Sequence, residues 1–196
     1  TWGNSTFGGD SSAVSRDLDS DVSQVFSNTY AFAALKDNGS IITWGDSGLG
    51  GDSSAVSNKL NARVSHVFSN GSAFAALKEN GSVITWGDAD FGGDSSAVSN
   101  KLNARVSQIF STGTAFAALK ENGSVITWGD TNNGGDSSAV SSDLDSGVVG
   151  FANPYTNDVY GSTGNDTMTG TNENDILIAG AGKDSLNGGA GDDTLK

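Results

Sequence analysis

The chain has 196 residues, with 28 Gly, a single Pro, no Cys, and 23 acidic against 10 basic side chains, for a formal net charge of −13. A phosphate backbone is a poor partner for that charge, since nucleic-acid affinity comes largely from Lys and Arg, and the lack of Cys removes disulfides, thiolate metal sites and Cys nucleophiles. No apolar run approaches the ~20 residues that a membrane-spanning helix needs, and no basic start followed by an apolar stretch marks a secretory leader; neither nucleic-acid binding nor membrane insertion is expected.

Of the 23 acids, 20 are Asp and only Glu79, Glu121 and Glu173 are Glu. Asp with Gly is a composition for turns and for calcium, because Asp tolerates tight turns and supplies hard oxygen ligands.

Trp2, Trp44, Trp86 and Trp128 recur with a 42-residue period, and Trp44 to Thr85 matches Trp86 to Thr127 at 35 of 42 positions. Residues from Trp2 make a third copy, and a fourth runs from Trp128 through Val148 before the sequence departs into Phe151, Pro154 and Tyr155. Within a unit, Val64 to Ser69, Ala73 to Lys78 and Ser82 to Trp86 are rich in β-branched and aromatic residues. Asn80-Gly81 separates the last two, and Asn-Gly between apolar runs predicts a hairpin whose two turn residues both take positive φ. Each unit is therefore expected to be about three antiparallel strands with a long loop through Gly50-Gly51-Asp52-Ser53-Ser54. Such a unit cannot bury its faces alone, so neighbouring units must pack, as propeller blades or as coils of a solenoid. A β-trefoil is the rival arrangement for repeats of this size.

The W-G close, the A-F-A-A-L-K-x-N-G-S-V-I-T-W-G run and the preceding V-S-x-[VI]-F resemble the regulator of chromosome condensation repeat in its short bacterial form, over residues 1 to 149. The loop G-G-D-S-S departs from that family, which more often has a Gly-Gln segment there. The resemblance implies a seven-bladed propeller. Three and a half units cannot close one, and Thr1 stands inside the strand that other copies write as Ser-Val-Ile-Thr-Trp-Gly. The expectation is a fragment of a longer protein, or an assembly in which several chains complete the ring. A protein or glycan ligand on the propeller face is the partner this implies.

Residues 150 to 160 read as a linker around Pro154. From Gly161 the period becomes nine, in four copies that begin at Gly161, Gly170, Ala179 and Gly188 and place Asp166, Asp175, Asp184 and Asp193 two positions before Met168, Leu177, Leu186 and Leu195. The pattern G-G-x-G-x-D-x-U-x resembles the calcium-binding nonapeptide repeat of RTX (hemolysin-type) proteins. Glycines permit the turn, the Asp supplies a carboxylate, and the apolar residue points into a small core. The resemblance implies a parallel β-roll in which two nonapeptides make one coil. Loops two nonapeptides apart then share an ion, so that Asp166 pairs with Asp184 and Asp175 with Asp193. It further implies backbone carbonyls as the remaining ligands, from Gly161, Thr163, Gly180 and Gly182 for one ion and from Gly170, Asn172, Gly189 and Gly191 for the other. Glu173 sits at the fourth-position Gly and strains the second site.

Residues 161 to 196 carry six acids and two bases. With four apolar core residues and this self-repulsion the segment is expected to fold only when calcium binds, staying disordered in a low-calcium cytoplasm and ordering outside the cell.

No H-E-x-x-H, G-x-S-x-G or G-x-x-x-x-G-K-[ST] motif occurs. Gly45-Asp46-Ser47-Gly48 has the letters of a serine-nucleophile loop, but the equivalent stretches in the other copies, Gly3-Asn4-Ser5-Thr6, Gly87-Asp88-Ala89-Asp90 and Gly129-Asp130-Thr131-Asn132, make it a variable loop, and His66 stands where they have Gln24 and Gln108. No catalytic residue is assigned. The fold class expected is all-β, a partial β-propeller of 42-residue repeats at 1–149 followed by a calcium-binding β-roll at 161–196, in a secreted or cell-surface bacterial protein with a structural or adhesive role. The competing readings are the C-terminal part of an exported enzyme and a protein-inhibitor propeller.

Overall fold

A computed structural model describes residues 3–148, 158–161, 164–170, 175–189 and 194–196. The chain divides into two compact units, residues 1–118 with 126–141, and residues 119–125 with 142–196.

The 42-residue repeats form all-β structure. The strands β1 (Val22–Ser27), β2 (Ala31–Lys36) and β3 (Ile41–Gly45) pair in chain order as an antiparallel meander. Strands β4 (Val64–Ser69), β5 (Ala73–Lys78) and β6 (Val83–Gly87) repeat it, as do β7 (Val106–Ser111), β8 (Ala115–Lys120) and β9 (Val125–Gly129). The register repeats as well: Phe32 faces Trp44 and Phe74 faces Trp86, and a bulge interrupts β1 between Val22 and Gln24 and β4 between Val64 and His66. Helical structure is confined to short turns and one four-residue helix, α1 (Ser57–Leu60), among the described residues.

Alternation along β5 builds the packing. Phe74 and Ala76 join one core with Ala31, Ala33, Leu35 and Ile41 of the first sheet, while Ala73, Ala75 and Leu77 join a second core with Ile109, Phe116 and Trp128 of the third. Side chains of a strand alternate between faces, so the middle sheet is covered on both sides, and β5 reads as an unbroken apolar run. Small Ala on one sheet meets large aromatics on the next. Within each unit the aromatic pair stacks, with centroids 5.2 Å apart for Phe74 and Trp86, and the Trp86 indole N–H donates to the Gly50 carbonyl at 3.1 Å. Trp44 to Gly8 and Trp128 to Gly92 repeat that bond.

The Asn-Gly hairpins form, with one correction. Only the Gly takes positive φ, 75° at Gly39 and 73° at Gly81, and the Asn does not. The connection is also longer than the Asn-Gly pair alone, running from Lys78 to Val83. The Asn80 side chain instead accepts the Ser82 N–H at 3.1 Å, and the Gly81 N–H closes a turn on the Lys78 carbonyl at 2.8 Å. This is the longer hairpin, a turn followed by a left-handed Gly. The Gly is needed a second time, because a Cβ on Gly81 would lie 2.6 Å from the Arg105 nitrogen. Here the tip is clasped by the next unit: Val106 N–H donates to the Gly81 carbonyl at 2.9 Å, as Val64 does to Gly39 at 3.0 Å. Arg63 and Arg105, at the clasp, both hold φ of 61°.

In the second unit, β10 (Asp158–Tyr160), β12 (Ile176–Ile178) and β14 (Thr194–Leu195) form one parallel sheet, and β11 (Thr167–Thr169) with β13 (Ser185–Asn187) forms another. Every pairing joins positions two nonapeptides apart, such as Met168 with Leu186 and Leu177 with Leu195. Met168, Leu177, Ala179 and Leu186 meet in one small core. The first strand, β10, lies in the stretch that the sequence reading assigns to the linker. Val159 stands one nonapeptide before Met168 and pairs with Leu177, so β10 keeps the nine-residue strand spacing ahead of the four copies.

Candidate metal centre

The repeating register, two nonapeptides to a coil, brings the loops into line. Ser185 N–H donates to the Asp166 carbonyl and Thr194 N–H to the Asp175 carbonyl, each at 2.8 Å, while Gly161 and Gly170 donate to Ile178 and Asn187 at 2.7 Å. The first two bonds pin Asp166 and Asp175, the residues before β11 and β12, and so set where their carboxylates stand; the other two pin the glycines that follow β10 and β11.

Asp166 and Asp175 are buried, 4% and 2% exposed, and Asp184 is half-buried. A buried carboxylate is costly unless it has partners or a cation. Asp184 Oδ1 accepts the Asp166 backbone N–H at 2.9 Å, so the predicted pair is brought together through a main-chain donor. One position earlier the same stacking appears, with Lys183 N–H on Asn165 Oδ1 at 2.9 Å. Gly180, Gly182 and Gly189 take positive φ, 86°, 152° and 93°. Asp193, Thr163, Asn172 and Gly191 lie outside the described residues.

The glycines mark where oxygens converge. A Cβ on Gly161 would come under 3.0 Å from both the Ala179 carbonyl oxygen and Asp166 Oδ2. On Gly170 it would meet the Gly188 carbonyl oxygen and Asp175 Oδ2, and on Gly182 the Gly164 carbonyl oxygen and Asp184 Oδ1, again under 3.0 Å. At three places, then, a main-chain carbonyl and a carboxylate oxygen approach one bare Cα. Hard, mixed carboxylate and carbonyl oxygens are the donors calcium takes, and the residues present fit that ion. The carbonyls that crowd these glycines are those of Gly164, Ala179 and Gly188, which the sequence does not single out; each sits two nonapeptides from its glycine, Gly182, Gly161 and Gly170 in turn, a relation visible only once coils are stacked. Among the described residues no three His, Cys, Asp or Glu side chains cluster in a way that could hold a metal, which makes the main-chain oxygens the larger part of any cage built from them.

The Asp residues of the 42-residue units do something else. Asp10, Asp52, Asp94 and Asp136 each accept, through Oδ1, the N–H of the Ser two positions on at 2.8 Å. Asp46, Asp88 and Asp130 accept likewise from Gly48, Asp90 and Asn132. These are turn caps. The Ser54 N–H holds the exposed Asp52 carboxyl below its ordinary value. His66 is exposed on β4, opposite Leu77, and Ser47 starts a single helical turn capped by Asp46.

Among solved structures, the crystal structure of human WBSCR16 is similar at 22% identity and a TM-score of 0.43, over 58% of this chain and 34% of that one. The similarity thus spans about a third of the WBSCR16 chain. No curated protein matches the chain in sequence. Residues 160–195 match the family model of the RTX calcium-binding nonapeptide repeat, in four copies. The C-terminal segment is therefore a run of RTX nonapeptide repeats, and such repeats bind calcium.

Proposed function

We propose that this is a calcium-binding repeat protein of the bacterial cell surface or exterior, part of a larger structural or adhesive protein, whose C-terminal nonapeptides at 161–196 fold into a β-roll on binding calcium. The observation that carries the reading is the register of two nonapeptides per coil, which sets Asp184 against the Asp166 N–H beside glycines crowded by carbonyl and carboxylate oxygens.

Asp166 and Asp184, with carbonyls from Gly161, Thr163, Gly180 and Gly182, hold one ion in this reading. Asp175 and Asp193, with carbonyls from Gly170, Asn172, Gly189 and Gly191, hold the other. Calcium supplies positive charge and a demand for six to eight oxygens. The chain supplies the rest: the strand bonds fix the loop spacing, and the buried core of Met168, Leu177 and Ala179 is too small to offset the repulsion of six acids against two bases at 161–196. Binding free energy then becomes folding free energy. A cytoplasm low in calcium leaves the segment open, and the calcium-rich exterior closes it.

The 42-residue repeats at 1–149 are proposed as propeller blades presenting a face to a protein or glycan. Support comes from the face-to-face stacking of successive sheets and the tip-to-strand clasp between units. No helix among the described residues is long and apolar enough to cross a membrane.

Calorimetric calcium titration of the full chain, with circular dichroism before and after chelation, tests the proposal. Saturable binding with a gain of β signal is expected; a chain that takes up no calcium at millimolar concentration overturns it.

A further inference from the structure

An Asn followed by Gly is open to spontaneous deamidation, because the Gly has no side chain to shield its nitrogen. The pair occurs six times, at Asn38, Asn70, Asn80, Asn122, Asn133 and Asn187, and the sequence alone does not rank the six. The reaction needs the Gly nitrogen to swing onto the Asn side-chain carbon Cγ, so whatever fixes the peptide between the two residues slows it.

Five of the pairs are held. At the hairpin tips the Gly39, Gly81 and Gly123 N–H groups donate to the Lys36, Lys78 and Lys120 carbonyls at 2.8 Å, and a Cβ on these glycines would lie 2.5 or 2.6 Å from the nitrogen of Arg63, Arg105 or Gly147. Asn70 begins the same Asn-Gly-Ser triplet as the tips but is 7% exposed. Its Nδ2 donates to the Phe91 carbonyl at 2.6 Å, its Oδ1 accepts the Ser72 and Ala73 N–H groups, and the Gly71 N–H donates to the Gly113 carbonyl at 2.9 Å. Asn187 ends β13, where it pairs with Thr169 and its carbonyl accepts the Gly170 N–H at 2.7 Å.

Asn133-Gly134 differs. The pair lies in the loop after β9, and the equivalent loops after β3 and β6 are anchored by Asn28 and Asn70, which donate to the Leu49 and Phe91 carbonyls at 2.7 and 2.6 Å. The third copy has the shorter Thr112 in that place, and its hydroxyl stands 3.4 Å from the Asn133 carbonyl. Gly50 and Gly92 are buried, and a Cβ there would meet the Phe74 and Phe116 rings at 2.6 and 2.8 Å; Gly134 is exposed, and its Cβ would meet nothing nearer than 3.9 Å. Asn133 stands where the other copies have Phe7, Leu49 and Phe91, and its side chain is exposed, bonded through Nδ2 to the equally exposed Oδ2-bearing carboxylate of Asp130 at 2.6 Å.

We infer that Asn133-Gly134 is a site of spontaneous covalent modification, where the folded chain turns Asn133 into aspartate and isoaspartate while its other Asn-Gly pairs are protected. The Gly134 nitrogen bonds to Cγ of Asn133, the side-chain nitrogen leaves as ammonia, and water opens the cyclic imide at either carbonyl. The net change is one water taken up and one ammonia released. The product places a carboxylate where a donor faced Asp130, so like charges replace a hydrogen bond, and isoaspartate also lengthens the main chain of the loop by one carbon. The inference owes nothing to the calcium reading or to a ligand of the repeats.

The test incubates the full, unmodified chain in heavy-oxygen water at saturating calcium and follows heavy-oxygen uptake peptide by peptide by mass spectrometry, with enzymatic methylation to mark isoaspartate. The Asn133 peptide is expected to convert at least about tenfold faster than the peptides of Asn38, Asn70, Asn80 and Asn122, the ratio that local protection by the fold imposes. In urea the rates should converge. Any of those four matching or overtaking Asn133 in the folded chain overturns the inference. So does a lead for Asn133 that persists undiminished in urea, which assigns the preference to neighbouring residues rather than to the loose loop. Asn133→Gln should abolish uptake in that peptide and leave the others unchanged; uptake that survives the change places the reaction at another residue and overturns the assignment.

Discussion

The backbone N–H of Asp166 donates to Oδ1 of Asp184 at 2.9 Å, across the two nonapeptides that separate stacked strands. One carboxylate oxygen thus serves the main chain of the neighbouring coil while the rest of the group stays available to a cation. The two roles separate by substitution. Asp184→Asn keeps an acceptor for the Asp166 N–H and loses the charge; Asp184→Ala loses both. Calcium affinity at the Asp166 site is expected to fall in both variants by at least the ~10- to 100-fold that losing a mere supporting partner costs a metal site. Calorimetry on the two variants checks this, and Asp184→Asn titrating like the unmodified chain would sink the assignment.

Substitution at the crowded glycines should act on the same unit by a different route. A Cβ at Gly182 meets the Gly164 carbonyl oxygen and Asp184 Oδ1 under 3.0 Å, so Gly182→Ala forces the coils apart. Overpacking of this kind costs about 1 to 3 kcal/mol. The calcium-dependent β signal should shift to higher calcium or vanish. Gly113→Ala is the control: nothing lies within 4 Å of its added Cβ and its φ is not in the left-handed region, so stability should hold or rise by up to about 1 kcal/mol.

How far the sequence could be read follows from what its periods encode. Strand bounds such as Val64 to Ser69 and Ala73 to Lys78 were legible because β-branched and aromatic runs are local signals. That Asp166 and Asp184 lie near each other followed only from what the resemblance to RTX repeats implies, two nonapeptides to a coil, since a nine-residue period alone does not say which loops stack. The clasp between Gly81 and Val106 was not, because Gly81 carries a turn preference that explains it without any neighbour. Strand β10 was missed for the opposite reason: no nonapeptide motif precedes Val159, and only its pairing with Leu177 and its neighbours reveals the strand. The carbonyls of Gly164, Ala179 and Gly188 carry no side-chain signal at all.

The buried indole bond of each repeat can be removed by a single change. Trp86→Phe keeps a ring against Phe74 and deletes the donor to the Gly50 carbonyl, leaving that carbonyl without its partner. An unsatisfied buried acceptor costs about 1 to 3 kcal/mol, to which the smaller ring adds a cavity penalty. Thermal unfolding should show a lower Tm for this variant than for Trp86→Tyr only if the Tyr hydroxyl reaches Gly50; equal losses in both are the expected result, since the hydroxyl lies beyond the far end of the ring rather than at the indole nitrogen.

Acid should loosen the 42-residue units through their turn caps. The carboxyls of Asp10, Asp52 and Asp136 are each held below their ordinary value, first by the backbone N–H of the following Ser12, Ser54 or Ser138. A carboxyl with a depressed folded pKa binds fewer protons folded than unfolded, so its contribution is fully present above the unfolded value and is lost as pH falls through the folded one. The window therefore opens below about pH 4 and leaves neutral pH untouched. Each cap is exposed, so no single one is expected to show; the effect comes from repetition across units. The triple variant Asp10→Asn, Asp52→Asn and Asp136→Asn retains the Oδ1 acceptors and removes the titration. Its Tm, followed by calorimetry from neutral pH downward, should match the unmodified chain at neutrality and fall less steeply in acid; a parallel fall in both would place the acid sensitivity outside these caps.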